Sequence, residues 1–266
     1  MGRIGETFAR LRRNRERALV PFVTAGDPDL DTTEALVLAM AESGADLIEI
    51  GVPFSDPIAE GPTIQRSSER ALARGTTLRR ILERVRKLRP RVDLPLLLMG
   101  YANPFFAMGT EGFVKAAAEV GVDGVIVPDL PPEEGEEFYG AAEMCGIDPV
   151  LLAAPTTVES RLAMLASRTR GFLYFVSLTG VTGARSELAQ GLESYVGRIR
   201  KHSEIPVCVG FGISTPEHAR LVGSFADGVV VGSAIVDRIE AAASREAAVD
   251  SVARFVSELK APLRAG

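Results

Sequence analysis

The stretch SGADLIEIGVPFSDP, residues 43–57, decides how the chain is to be read. A small-residue helix exit at Gly44 leads through Asp46 into the apolar run DLIEIG, which is of strand length, and then into a proline-stiffened loop. The same order returns in VGVDGVIVPDLP (120–131) and SFADGVVVGSA (224–234), each with a helix exit, an aspartate and a short apolar strand. Gly44 and Gly121 suit the left-handed position just past a helix end. A repeated unit of helix, turn, buried strand and loop belongs to an alternating βα architecture.

Working outward, the strand pattern recurs as ALVPFVT (18–24), DLIEIG (46–51), PLLLMG (95–100), GVIVP (124–128), PVLLA (149–153), FLYFVS (172–177), PVCVG (206–210) and GVVVG (228–232). Between these runs lie amphipathic stretches such as TTEALVLAMAESG, GFVKAAAEVG and ESRLAMLASRTRG. Eight alternations without a polar linker predict one domain over 1–266, an α/β chain folded as a (β/α)8 TIM barrel. An extra N-terminal helix is expected within 3–18, with Ile4, Phe8 and Leu11 on its apolar face, and a short phosphate-binding helix after strand eight. A doubly wound open sheet is the alternative, but no GxGxxG follows the first strand.

Composition narrows the function classes. A net charge of −5 argues against nucleic acid as a partner, because phosphate backbones call for a basic face. No stretch reaches the length of a membrane span, which predicts a soluble protein. Cys145 and Cys208, placed in apolar surroundings on different elements, offer neither a disulfide framework nor metal-ligand spacing, so a cytoplasmic protein without a metal is expected. His202 and His218 read as surface helix residues, which leaves carboxylates to carry protons in any acid–base chemistry.

Chemistry in such barrels gathers in the loops after the strand ends. TGVTGAR (179–185), GFGIST (210–215) and VGSAIVDRI (231–239) form three successive glycine-bearing loops. Backbone N–H groups in such loops, with helix N-termini behind them, suit a phosphorylated small molecule; the alternative for each is a plain tight turn. TGVTGARSE also has the composition of a lid.

Within DLIEIG, strand alternation sets Leu47 and Glu49 on one face and Ile48 and Ile50 on the other. In a barrel sheathed by helices both faces are covered, so Glu49 is desolvated and its pKa raised unless a buried Lys or Arg pairs with it. An acid near neutral pKa can both give and take a proton. Asp56 and Glu60 follow in a loop stiffened by Pro53, Pro57 and Pro62, read either as functional acids or as solvated loop charges.

The runs PFVTAGDP, EIGVPFSDPIAEGPTIQ, YANPFF, PDLPPEE, GVTGAR, GFGIS and VGSAIV, in this order and spacing, resemble the tryptophan synthase alpha chain over nearly all 266 residues. The resemblance implies cleavage of indole-3-glycerol phosphate to indole and glyceraldehyde 3-phosphate. It implies no cofactor in this chain, and a beta-chain partner that carries pyridoxal phosphate in an alpha2-beta2 heterotetramer. It gives Glu49 and Glu60 catalytic roles, the second at a position where the family usually has Asp. It assigns Phe22 and Tyr174 to the indole pocket, and Thr182 and Gly183 to the lid. Gly183, Gly212, Gly232 and Ser233 go to phosphate binding, and Pro53 and Asp56 to the face toward the beta chain. A longer acid at position 60 leaves the alternative of a weakened chain acting mainly as an allosteric partner of the beta chain; a free-standing lyase is a further alternative, against which the PFSDP loop argues.

Overall fold

A computed structural model describes residues 2–176, 185–210 and 212–264, apart from the side chains of 185–190. Nine strand segments lie parallel: β1 (Ala18–Thr24), β2 (Ile48–Gly51), β3 (Leu96–Met99), β4 (Gly124–Ile126), β5 (Asp148–Pro149), β6 (Leu152–Ala153), β7 (Leu173–Val176), β8 (Val207–Gly210) and β9 (Gly228–Val231). Their order across the sheet is β5-β4-β3-β2-β1-β9-β8-β7-β6. The two ends of that order, β5 and β6, are consecutive in the chain with only Val150 and Leu151 between them. The Val150 N–H donates to the Val125 carbonyl at 2.9 Å, and the Tyr174 N–H donates to the Leu151 carbonyl at 3.0 Å. One fifth strand therefore faces β4 with its first half and β7 with its second, which closes the ring. The closed ring leaves no exposed edge and rules out the open sheet.

The side-chain alternation separates two cores. Ile48 and Ile50 join the large outer cluster under the helices, while Leu47, Leu97, Ile126, Val150, Tyr174 and Cys208 fill the interior. The N-terminal helix Arg3–Asn14 plugs the end where the strands begin. Its Ile4, Phe8 and Leu11 are buried in the interior cluster, and the Phe8 and Phe172 rings lie 5.8 Å apart.

The aspartate of the internal repeat acquires a role here. Asp46, Asp123 and Asp227 each stand just before a strand, and their N–H groups donate to the carbonyls of Leu19, Leu96 and Val207 in the neighbouring strands, each at 2.9 Å. Each carboxylate then accepts the N–H of that same neighbour, at 3.0, 2.9 and 3.0 Å. The side chain continues the ladder where the strand has not yet begun, satisfying a donor that would otherwise be unpaired. These three residues are structural.

Besides the short helix Ala102–Phe106 after β3, two longer helices break the pattern of one helix per strand. Leu78–Leu88 adds a second helix between β2 and β3, capped by Thr77 and burying Leu78, Ile81, Leu82, Val85 and Leu88. Arg245–Lys260, capped by Ser244, closes the chain. Both carry the i, i+3, i+4, i+7 spacing plainly; a search for one helix after each strand passes over them. Two of the smaller expectations need correction. Cys145 is exposed, at the end of helix Glu136–Met144, rather than enclosed in an apolar setting. His218 is half-buried with Nδ1 shielded from solvent, rather than a surface residue. Among the described residues, no helix is long and apolar enough to cross a membrane.

Candidate active site at the strand exits

Glu49 lies in β2 directly across from Phe22 of β1 and Leu97 of β3. Alternation turns it inward with Leu47, and it has no solvent exposure. Among the described residues neither carboxylate oxygen has a hydrogen-bond partner. The buried cation Lys260 lies elsewhere, 2.8 Å from Asp46, so it does not pair with Glu49. Burial alone pushes the Glu49 carboxyl up to about 8. Leaving a buried acid unsatisfied is costly, and in a cleft such a group marks a functional position.

Tyr174 and Cys208 stand opposite each other on β7 and β8 and share the interior with Glu49. Burial first, and then the Glu49 charge, holds the Tyr174 phenol well above its ordinary value, so it stays a neutral group. Its ring packs against Gly210: a Cβ there would meet the Tyr174 ring carbons at 2.7 and 2.8 Å. Gly51 makes room in the same way for Phe22, whose ring carbons would lie 2.5 and 2.7 Å from a Cβ. These two glycines clear space for the two aromatics that flank Glu49. Phe22 also packs with Ile64, Val236 and the half-buried Met99, an apolar collar at the strand exits.

The second acid is held rather than solvated. Tyr101, at the exit of β3, is buried, and its hydroxyl donates to the Glu60 carboxylate in a short hydrogen bond. The same oxygen accepts the Ala59 N–H at 2.8 Å, and the ring stacks on Phe54 with centroids 5.1 Å apart. The Gln65 amide donates to the Glu60 carbonyl at 2.9 Å. Tyr101 thus holds the 52–61 loop and its acid in one position. Burial raises the Glu60 carboxyl most, the Tyr101 hydrogen bond lowers it, and the Asp129 charge raises it. Tyr101 was visible in YANPFF only as part of a motif. Its partner is 41 residues away, so no local pattern announces the pairing.

Tyr101→Phe is accordingly expected to shift the acid limb of any Glu60-dependent activity to higher pH, because the interaction favouring the ionised form is lost. A tenfold loss of activity at neutral pH is the rough size for one such hydrogen bond. A pH–rate profile overlaying that of the wild type counts against this role.

At the neighbouring exits the backbone turns into two helix N-termini. Gly212 adopts a left-handed conformation with φ +45°, and Thr215 caps helix Pro216–Gly223 by accepting the His218 N–H at 3.3 Å. After β9, Gly232 begins helix Ser233–Glu240, and the N–H groups of Ile235 and Val236 turn back to its carbonyl at 2.8 and 3.2 Å. The N–H groups of Ser233 and Ala234 precede these first helical bonds and remain available to a ligand. A Cβ on Gly232 would touch Phe22 at 3.7 Å, so this helix start, Phe22 and Glu49 are contiguous.

Glu49, Phe22 and Tyr174 thus share the interior below the strand exits, with Gly232 and Ser233 beside Phe22, Gly212 on the adjacent exit and Glu60 in the loop that follows β2. Thr182 and Gly183, with the whole of the lid sequence up to 184, lie outside the described residues. Pro53 is buried, whereas Asp56 is exposed and accepts a hydrogen bond from the Ser55 hydroxyl at 2.5 Å.

Known proteins resemble this chain over nearly its whole length. The family model of the tryptophan synthase alpha chain matches residues 8–264. The tryptophan synthase alpha chain of Geobacter sp. (strain M21) is 55% identical over 260 residues, covering 98% of this chain and 97% of its own length. Among solved structures, the tryptophan synthase alpha chain of Legionella pneumophila superposes with a TM-score of 0.90 at 38% identity, covering 99% of this chain and 97% of that one. A chain of Mycobacterium tuberculosis tryptophan synthase superposes at 0.91 and 37% identity, covering 100% and 99%.

Proposed function

The chain belongs to the tryptophan synthase alpha chain family, the alpha subunit of the enzyme of tryptophan biosynthesis, and on that premise we propose that it is a carbon–carbon lyase acting on indole-3-glycerol phosphate. The observation that carries the reading is Glu49: an inward-facing carboxyl, wholly buried, with no hydrogen-bond partner among the described residues and a pKa of about 8.

Near neutral pH such an acid enters the reaction protonated. It delivers its proton to indole C3, which becomes tetrahedral as positive charge moves to the ring nitrogen. The carboxylate left behind takes the proton of the adjacent glycerol hydroxyl. The C–C bond then breaks, its electrons return to the indole ring, and the carbon that bore the hydroxyl leaves as the aldehyde of glyceraldehyde 3-phosphate. Glu49 is restored in its starting form, and protons and electrons balance without a cofactor in this chain. Glu60, held by Tyr101, is ionised in this scheme and accepts the indole N–H, stabilising the cationic ring. Phe22 and Tyr174 wall the indole. The N–H groups at Gly183, Gly212, Gly232 and Ser233 take the phosphate, and Thr182 of the lid closes over Glu60. Phosphate held at a distance places the reacting carbon against Glu49.

The reading extends to one working domain in the cytoplasm. It includes a beta-chain partner that carries pyridoxal phosphate, in an alpha2-beta2 assembly met by the loop bearing Pro53 and Asp56. Indole release from indole-3-glycerol phosphate, with and without a beta chain, tests it. Release at background in both conditions favours the weakened allosteric subunit, and full activity of the isolated chain favours a free-standing lyase.

The two acids are separable in the same assay. Glu60→Ala is expected to lower kcat about 10²–10³-fold, the usual reach of a positioned acid–base or charge-stabilising group. Glu60→Asp keeps the charge and is expected to stay within about tenfold of wild type. An alanine variant that matches the wild type removes Glu60 from the mechanism.

A further inference from the structure

The helix that follows the Glu60 loop and the helix that offers its N-terminus to phosphate are strapped together along one side. Thr63 Oγ1 donates to Asp237 Oδ1 at 3.0 Å. The Arg66 guanidinium grips both oxygens of Glu240, at 3.1 and 2.9 Å. Arg70 reaches further: Nη1 donates to Glu240 Oε1 at 2.8 Å, while Nε and Nη2 donate to the two oxygens of Asp27, each at 2.8 Å. Asp27 is buried, in the loop that follows Phe22 on β1. Under the strap, Ile64, Val236 and Phe22 form an apolar wedge.

Two features set this arrangement apart from ordinary surface pairing. Asp237 and Glu240 occupy the carbonyl end of helix Ser233–Glu240, where negative charge opposes the helix dipole. Their placement there is unfavourable for the helix alone and is offset by the arginines. Arg70 also uses all three nitrogens of its guanidinium, on two different elements. A lysine ammonium presents no such fork.

We propose that Arg70 is a positioning residue, which sets the distance between the acid-bearing loop and the phosphate-binding helix terminus through its simultaneous hold on Asp27 and Glu240. The inference rests on the reaction proposed above and names what keeps the two ends of its substrate in register. The intact substrate spans both ends. Each half, an indole or a glycerol phosphate, needs only one. A displacement near 1 Å between the ends costs on the order of a hundredfold in rate while leaving each end intact.

The test uses the full chain together with a beta chain. Dissociation constants for indole and for glycerol 3-phosphate are measured separately, beside kcat/KM for indole-3-glycerol phosphate. Arg70→Lys keeps the charge but cannot hold both carboxylates. It is expected to lower kcat/KM about 10- to 100-fold while both half-ligand constants stay within about twofold. Glu240→Gln, at the surface, is expected to show the same pattern at a smaller amplitude, and it decides the matter alone if Arg70→Lys does not fold. The inference is overturned if the folded variants keep kcat/KM within about twofold of wild type. It is equally overturned if the glycerol 3-phosphate constant weakens by the same factor as kcat/KM, since Arg70 would then merely build the phosphate site. A wild-type chain that releases no indole overturns the proposed reaction and this inference with it; an active wild type with indifferent variants overturns the inference alone.

Discussion

Glu49→Gln is expected to reduce indole release by at least about 10³-fold, because the variant neither gives nor takes a proton at the only position the mechanism provides. The loss should appear in kcat with little change in substrate binding, as indole and phosphate are held by other groups. In the wild type, kcat/KM should fall as pH rises through about 8, where the buried carboxyl loses its proton. It should fall again on the acid side as Glu60 becomes protonated. The same substitution has an opposite effect on stability. The Glu49 pKa is raised on folding, from an ordinary 4.5 to about 8, so between these values the folded state holds a proton that the unfolded state has released. The Glu49 contribution to stability is then greatest below about 4.5 and declines as pH rises toward 8, beyond which it levels off. Glutamine has no such penalty, so the variant should be at least as stable as wild type, with an advantage that grows across that window. An inactive variant that is also less stable at pH 8 would point to a structural glutamate. A variant that still releases indole at a near-normal rate would end the proposed mechanism.

The largest effect on stability should come from the opposite end of the barrel. Lys260, only 3% exposed, sits 2.8 Å from Asp46, and its ammonium also donates to the Arg17 carbonyl at 2.9 Å. Asp46→Ala strips this buried cation of its nearest anion and leaves the Leu19 N–H without its acceptor. Breaking a buried pair from one side costs about 3–5 kcal/mol, which for a chain of this size lowers Tm by roughly 10 °C. Pairing it with Lys260→Met should recover much of the loss, since an apolar residue of similar length needs no counter-charge. Thermal denaturation of the single and double variants measures both effects. A Tm within about 2 °C of wild type for Asp46→Ala would mean that Glu16, 3.3 Å from the ammonium, neutralises it unaided.

The strand ALVPFVT matches β1 (Ala18–Thr24) residue for residue. PVLLA was legible as one strand, yet it serves two neighbours with its two halves, a division that depends on ring closure. The aspartate of the internal repeat was visible as a pattern, but its ladder-extending role needed the neighbouring strand beside it. Glu60 was visible as an acid and also as a possible solvated charge. The Tyr101 hydroxyl, brought to it from the next strand exit, settles that it is a held group.

By itself, the sequence determined what depends on short-range periodicity. That includes the alternation of strands and helices, the side of β2 to which Glu49 belongs, and the glycine-bearing loops at the chain's end, because side-chain direction along a strand or helix follows from local backbone geometry. Only the tertiary structure decided which side of β2 is the interior and that, among the described residues, Glu49 has no hydrogen-bond partner there. It also decided the pairings of Tyr101 with Glu60 and of Arg70 with Asp27 and Glu240. Those contacts join residues 41, 43 and 170 positions apart. They exist because a closed ring of strands returns β9 to β1 and fixes the loop ends within hydrogen-bonding reach, a constraint set by the whole circuit of the chain.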